Sequence, residues 1–301
     1  LNGFMGHSAS TGQSFQGRLA AFVGDVTKYP SIGENAAREL ASLVMSEPRL
    51  AAKVLGRANS PFYGLQSPIV SIPHAITYLG MNAVRSMALR YMLDDSFTAE
   101  HPSHQEYCDR VWDAGMIASE LCSLLATKLN FTDVGALCTQ TTLSFLGDLA
   151  VPALLPAGSA MSWNQGLIER MRLEQQEIGA SAALMGTMLM RAWGLPRDLI
   201  DAVAATSRIA VTPVAQAEPA SAARNALSFA CARVGEAIAQ RRIEHPEQVG
   251  LDTAGAPELH YLQGYLGLPQ LARLPDLLQA PDVRLALLRM ITSVNTDTAP
   301  G

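Results

Sequence analysis

The stretch Glu39–Leu89, ELASLVMSEPRLAAKVLGRANSPFYGLQSPIVSIPHAITYLGMNAVRSMAL, decides the fold. Leu40, Leu43 and Val44 recur at helical spacing until "SEP". Pro48 can then open a second helix, because a first-turn N–H has no intrahelical acceptor to lose. Leu50, Val54, Leu55 and Ala58 form the apolar stripe of that helix. Pro61 disfavours helical geometry at Ser60, and Gly64 permits a turn. Ser71 and Pro73 begin a third helix, which Gly80 closes. Asn82 can cap a fourth, with Val84, Met87, Ala88 and Tyr91 on one face. These are short helices joined by tight turns.

The same period continues outward. A polar loop, DDSFTAEHPSHQE, precedes a long helix carrying Cys108, Val111, Trp112, Gly115, Cys122, Leu125 and Leu129. Asp133 can start the next helix, which is expected to contain TTLSFLGD, Thr141 to Asp148. Pro152, Pro156 and Gly158 break the pattern. Helical segments follow from about Ser162 and about Gly179, and Pro196 starts another with Leu199, Ile200 and Val203 inward. Further on come a helix bearing Leu227, Ala230, Val234 and Ile238, and a closing one around Val283 to Ile291. No segment alternates as a strand, so the chain is expected to be all-α. Residues 1–17 read as a flexible tail, 18–210 as the main module, 211–221 as a linker rich in Pro, Ala and Ser, and 222–301 as a helical extension completing the module.

Composition narrows the function classes. A formal charge of −5 over 301 residues gives no global attraction to nucleic acid or to an anionic membrane. The four cysteines, Cys108, Cys122, Cys138 and Cys231, have no CxxC or zinc-finger spacing, and three of them fall in helical patterns beside apolar neighbours. They read as buried reduced thiols, which fits a cytoplasmic protein. The longest uncharged helical stretch, Ile178 to Met190, would cover about 20 Å, against a hydrocarbon core of roughly 30 Å. No membrane span is therefore expected. The opening LNGFMGHSASTGQ is small and polar and lacks a signal-peptide pattern.

Chemistry-bearing residues are sparse. No histidine falls between His104 and His245. A helical metallohydrolase would need several His and Asp ligands in that span to bind metal and activate its water. The pair in HPSH, His101 and His104, lies near Asp94, Asp95 and Glu106 and reads as an exposed loop; two histidines do not define a coordination geometry. His74 reads as a surface or capping residue, and His260 beside Tyr261 as surface or half-buried. Arg241 and Arg242 read as a solvated helix end. Ser144 has neither the strained elbow nor the partner histidine of a hydrolase nucleophile. No phosphate-binding or dinucleotide fingerprint appears, and no cofactor is implied.

Within Glu39–Leu89 the order and spacing of Glu47–Pro48, Ala58–Asn59–Ser60, Tyr63, Ser71–Ile72, Ala75–Ile76 and Leu79–Gly80 resemble the HDOD family, the HD-related output domains of bacterial signalling proteins. The resemblance extends, more weakly, over most of the chain. It implies an all-α fold in which an N-terminal helical lobe packs on an HD-like lobe. It also implies a regulatory role exercised through contacts with signalling proteins, and a relation to HD phosphohydrolases that is one of fold. Where members often read Gly-Leu-Leu-His-Asp-Ile-Gly, this chain has TTLSFLG, with Ser144 and Phe145 at the His and Asp places. In GASAALMG, Ala182 stands for a histidine, and Thr206 and Ser207 stand for a frequent His-His pair. WGLP, Trp193 to Pro196, is retained. Glu47, Pro48, Asn59, Ser60, Tyr63, Leu79, Gly80, Trp193 and Pro196 are then structural, and no catalytic or metal-binding residue is expected. The Phe145 ring is expected to fill the space a metal and its water would take. A different reading is a module that binds a nucleotide or second messenger through Arg85, Arg90 or Arg191 without cleaving it. A metal-dependent phosphohydrolase is the third, and the ligand set argues against it.

Overall fold

A computed structural model describes residues 34–45, 48–59, 67–81, 83–85, 87–88, 91, 102–156, 159, 161–192, 195–253 and 256–296, and every regular element among them is helical. Helices α1 (Glu34–Met45), α2 (Pro48–Ala58) and α3 (Ile72–Leu79) pack against one another and bury Leu40, Val44, Leu50, Val54, Ala75 and Ile76. The start and stop signals work as read. The Ser71 side chain accepts the His74 N–H at 3.3 Å, satisfying a first-turn donor. Gly80 adopts φ +86°, where a side chain would be strained, and its N–H bonds Ile76 O at 2.9 Å. Glu47, Ser60, Tyr63, Asn82, Arg90, Asp94, Asp95, His101 and Trp193 lie outside the described residues.

Asn59 makes one local bond and two distant ones. Its Nδ2 donates to Leu55 O at 2.9 Å and to Ile69 O at 2.7 Å, while its Oδ1 accepts the Ile69 N–H at 2.7 Å. One amide thus closes a ten-residue excursion between α2 and α3 by mimicking a strand pair, which an Asn can do because it carries both donor and acceptor.

Helix α4 (Pro102–Lys128) begins earlier than the polar composition suggests. Residues 102–104 form its first turn rather than a loop, since a proline lacking an N–H is well placed at a helix start. Asp133, at φ 58°, caps α5 (Val134–Leu143) by accepting the Ala136 N–H at 3.4 Å. The short α6 (Leu146–Ala150), α7 (Leu167–Glu177), α8 (Ala182–Ala192) and α9 (Arg197–Arg208) follow. Helix α10 (Ala222–Ala239) lies along α4, so close that a Cβ at Gly235 would fall 2.5 Å from Ala114 O. The chain closes with α11 (Leu262–Leu266), α12 (Leu274–Gln279) and α13 (Pro281–Thr296).

One core joins α1–α3 to Phe145, Leu146, Trp163, Leu199, Ile200 and Val203. A second, around α10, gathers Leu121, Leu125, Leu137, Leu227, Phe229 and Val234 with Leu262, Tyr265, Leu287 and Ile291 from the C-terminal helices. Residues 211–221 are tied to it: Val214 and Ala217 pack on this core, and the Tyr265 hydroxyl donates to Thr212 O at 3.0 Å. Cys122, Cys138 and Cys231 are buried thiols, and Cys108 is half-buried. Among the described residues, no helix is long and apolar enough to cross a membrane.

Candidate functional site

The helix expected to run through TTLSFLGD breaks in its middle. Ser144 ends α5 and Phe145 sits in the turn before α6. The Ser144 hydroxyl donates to Thr141 O at 2.7 Å and the Phe145 N–H bonds Thr142 O at 3.3 Å, so the last turn tightens and the chain changes direction. Phe145 is buried, with its ring over Gly115 of α4; a Cβ there would stand 3.6 Å from the ring.

Beyond the turn, α6 meets α8 backbone to backbone. A Cβ on Gly147 would lie 1.6 Å from Ala182 O, and one on Gly186 would lie 3.0 Å from Gly147 N. These glycines belong to TTLSFLG and GASAALMG, so their place in both motifs has a steric cause. Their contact brings Ser144 and Ala182 to one cavity of about 40 Å3, and α9 adds Thr206 and Ser207. Four of the five positions that the resemblance sets at HD-like places therefore converge. Phe145 is the exception: it is buried over Gly115 and does not border the cavity.

Three groups that the motifs do not mark also face the cavity: Asp148, Glu174 and Arg233. Behind them lies Arg170, 1% exposed, whose Nη1 and Nη2 each reach a Glu236 carboxylate oxygen at 2.9 Å. Arg170 Nη1 also donates to Trp163 O at 3.2 Å and Gln165 O at 3.1 Å, and its guanidinium stands 4.1 Å from the centre of the Trp163 ring. Arg233 pairs with the other side of Glu236, and Arg242 approaches to 3.5 Å. Burial opposes the Glu236 charge, but Arg170, Arg233 and Arg242 outweigh it and hold the carboxyl down at about 2. Asp148 is 3.8 Å from Arg170 Nη2, and there burial wins, raising it to about 7. Burial also raises Glu174, although its Oε2 accepts the Ala182 N–H at 2.6 Å at the start of α8.

A neutral polar seam adjoins this cluster. Gln140 Nε2 donates to Ala202 O at 3.1 Å, and to Thr206 Oγ1 and Asn225 Oδ1 at 2.8 Å each. Thr141 donates to Ser228 at 2.9 Å. Thr206, at a substituted position, is thus hydrogen-bonded into the joint of α5, α9 and α10. Sequence reading passed over these residues, yet a signal exists: α5 carries CTQTT with no solvent face, and Glu236 is an acid inside a run of small apolar residues. Of the arginines considered for anion binding, Arg85 is buried and donates to Thr139 Oγ1 at 2.6 Å, with burial lowering its guanidinium to about 10. Arg191 is exposed, and neither borders the cavity. His74 and His260 are exposed, the latter edge-on to Tyr261 with ring centres 5.0 Å apart. Among the described residues, no three His, Cys, Asp or Glu side chains are placed to hold a metal ion.

The HDOD domain profile matches residues 19–209. The chain belongs to the HDOD family. An HDOD domain protein of unknown function from Geobacter sulfurreducens, known from a crystal structure, superposes with a TM-score of 0.59 at 20% identity, covering 96% of this chain and 93% of that one. A protein from Shewanella amazonensis SB2B, provisionally described as a phosphohydrolase, gives 0.52 at 19% identity, covering 92% and 93%. A protein from Marinobacter aquaeolei VT8, provisionally described as acting in signal transduction, gives 0.52 at 18%, covering 91% of this chain and 58% of that one. At these identities the likeness is one of HDOD fold. No curated protein matches the chain in sequence.

Proposed function

We propose that this HDOD chain is a non-catalytic regulatory module of bacterial signal transduction, working in the cytoplasm through contacts with other signalling proteins. The observation that carries the reading is the lining of the cavity. Ser144, Ala182, Thr206 and Ser207 meet there, and none offers the imidazole or carboxylate that would bind a metal and lower the pKa of its water. Of the acids beside the cavity, Glu236 neutralises Arg170 and Glu174 caps α8, which leaves Asp148 as a single carboxylate, short of a ligand set among the described residues. Incubation with cyclic and linear phosphodiesters in manganese, iron or magnesium should give no turnover above a metal-only blank. Turnover that scales with protein and is lost in Asp148→Asn would overturn the reading.

Binding of a nucleotide without cleavage is the second reading, and size weighs against it. A cavity of about 40 Å3 admits one or two waters, whereas small-molecule sites enclose about 300–1,000 Å3. Calorimetric titration with a panel of cyclic dinucleotides and mononucleotides should show no saturable heat. A saturable signal that competes with no other nucleotide would assign a specific ligand and displace the scaffold reading.

A further inference from the structure

Two carboxylates compete for one guanidinium beside the cavity. Glu236 takes both terminal nitrogens of Arg170 at 2.9 Å and has Arg233 and Arg242 besides. Asp148 is left at 3.8 Å from Nη2, beyond hydrogen-bond distance, and accepts no hydrogen bond from a described residue. It is only 8% exposed, yet it borders the cavity, which gives water a route to it. A spare carboxylate on the wall of a cavity with room for water, facing a cation already satisfied elsewhere, is the member of the cluster free to take a proton.

We propose that Asp148 is a proton-operated latch on this cavity. Protonated, it leaves Arg170 to Glu236 and lets α6 stay packed against α7; ionised, its charge is buried beside a guanidinium already held by Glu236, and the α6 wall loosens toward the cavity. The groups facing Asp148 are Arg170 and Glu174 from α7, Arg233 and Glu236 from α10, and Tyr107 from α4. The face of α8 packed on α6, Ala182, Met185 and Gly186, carries no titratable side chain. The two acids oppose the Asp148 charge, the two arginines favour it, and burial outweighs the arginines, so that both states are populated near pH 7. The folded carboxyl lies above its unfolded value. The stability it contributes is therefore fully present below the unfolded pKa of about 3.9 and is lost as pH rises through about 7. The latch rests on the geometry of the cavity and goes beyond the regulatory reading: metal-dependent turnover would sink that reading and leave the latch standing.

The test is a pH titration of the full chain from 5 to 9, followed by the 13C shifts of labelled aspartate carboxyls and the amide shifts of residues 146–150. One aspartate should titrate near pH 7, apart from the rest below about 5. The amides should move with the same midpoint, and Asp148→Asn should abolish both transitions and hold the amides at their low-pH positions. If Asp148→Asn does not fold, through-bond assignment of the wild-type resonance to residue 148 takes its place. The latch is overturned if every aspartate titrates below pH 5, if the transition survives Asp148→Asn, or if the 146–150 amides do not follow it.

Discussion

Phe145 and Asp148 stand on either side of the α6 start, and their surroundings are held by opposite physics. Phe145 is core: an uncharged ring on a glycine of α4, held by area and fit. Three residues on, Asp148 belongs to a charged cluster of three acids and three arginines centred on Arg170 and Glu236, where attraction outweighs dehydration at Glu236 and burial wins at Asp148. The two sides of one corner are thus filled differently, one by packing and one by paired charge. The first kind of filling tolerates no loss of volume. The second tolerates no loss of one partner.

The sharpest way to test that contrast is to remove the hub cation. Arg170→Ala leaves Glu236 and Asp148 without their shared partner and should cost about 5 kcal/mol, the upper range for breaking a buried pair. Chemical denaturation at pH 7 measures it. A loss under about 1 kcal/mol would mean that Arg233 and Arg242 suffice for Glu236. The cluster also sets acid behaviour. Glu236, held at about 2 when folded, contributes stability that is present above its unfolded pKa and is lost as pH falls from about 4.5 through 2. Acid unfolding should shift to higher pH in any variant that lacks an arginine of this group.

Phe145→Ala should come next, at about 3–4 kcal/mol, because a buried ring is lost and helices pinned at Gly147 and Gly186 cannot close over the gap. Its effect should be insensitive to pH between 5 and 8, unlike that of Arg170→Ala. A near-neutral result would show that α4 can shift toward α6 and would remove the distinction between the two fillings.

In the N-terminal lobe a single amide does what the hub does with six charges. Asn59→Ala removes two bonds to Ile69 and leaves its backbone N–H and C=O to find water, so the midpoint should fall by about 1–2 kcal/mol. Asn59→Asp keeps the acceptor but not the donor, and should fall between wild type and Ala. If Asn59→Ala unfolds like wild type, the excursion between α2 and α3 is closed by other contacts.

How much of this was legible in the sequence follows the same division. Helix starts at Pro48, Ser71 and Asp133 and the stop at Gly80 are local events, written in the residue that caps or breaks, and they could be read directly. The reading of Ala182, Thr206 and Ser207 as places where relatives carry histidine rests on the family resemblance instead. The break at Ser144 could not be read, because it depends on α8 arriving at Gly147. Nor could the Arg170–Glu236 pair, 66 residues apart, since neither residue is unusual until the other is beside it. Even the reach of Asn59 to Ile69 is non-local; the sequence shows an amide at a helix end and not where its second bond goes.

The smallest expected effect isolates burial from residue type. Arg172 lies two positions from Arg170 on the same helix, and its Nε and Nη2 reach the two Glu169 oxygens at 2.9 and 2.6 Å, a fork as good as that of Arg170 on Glu236. The side chains differ in exposure: 52% and 46% for Arg172 and Glu169, against 1% and 0% for Arg170 and Glu236. At the surface, water solvates each ion nearly as well as its partner does, salt screens the pair, and holding two long side chains in one geometry costs entropy. Arg172→Ala should therefore leave the unfolding midpoint where it is in 0.15 M salt, and any shift seen in dilute buffer should vanish as salt is added. Paired scans of Arg170→Ala and Arg172→Ala at low and high salt would make the comparison within one helix. A salt-resistant loss in Arg172→Ala would show that the α7 surface is covered in solution, because only an excluded-water environment makes an exposed fork matter.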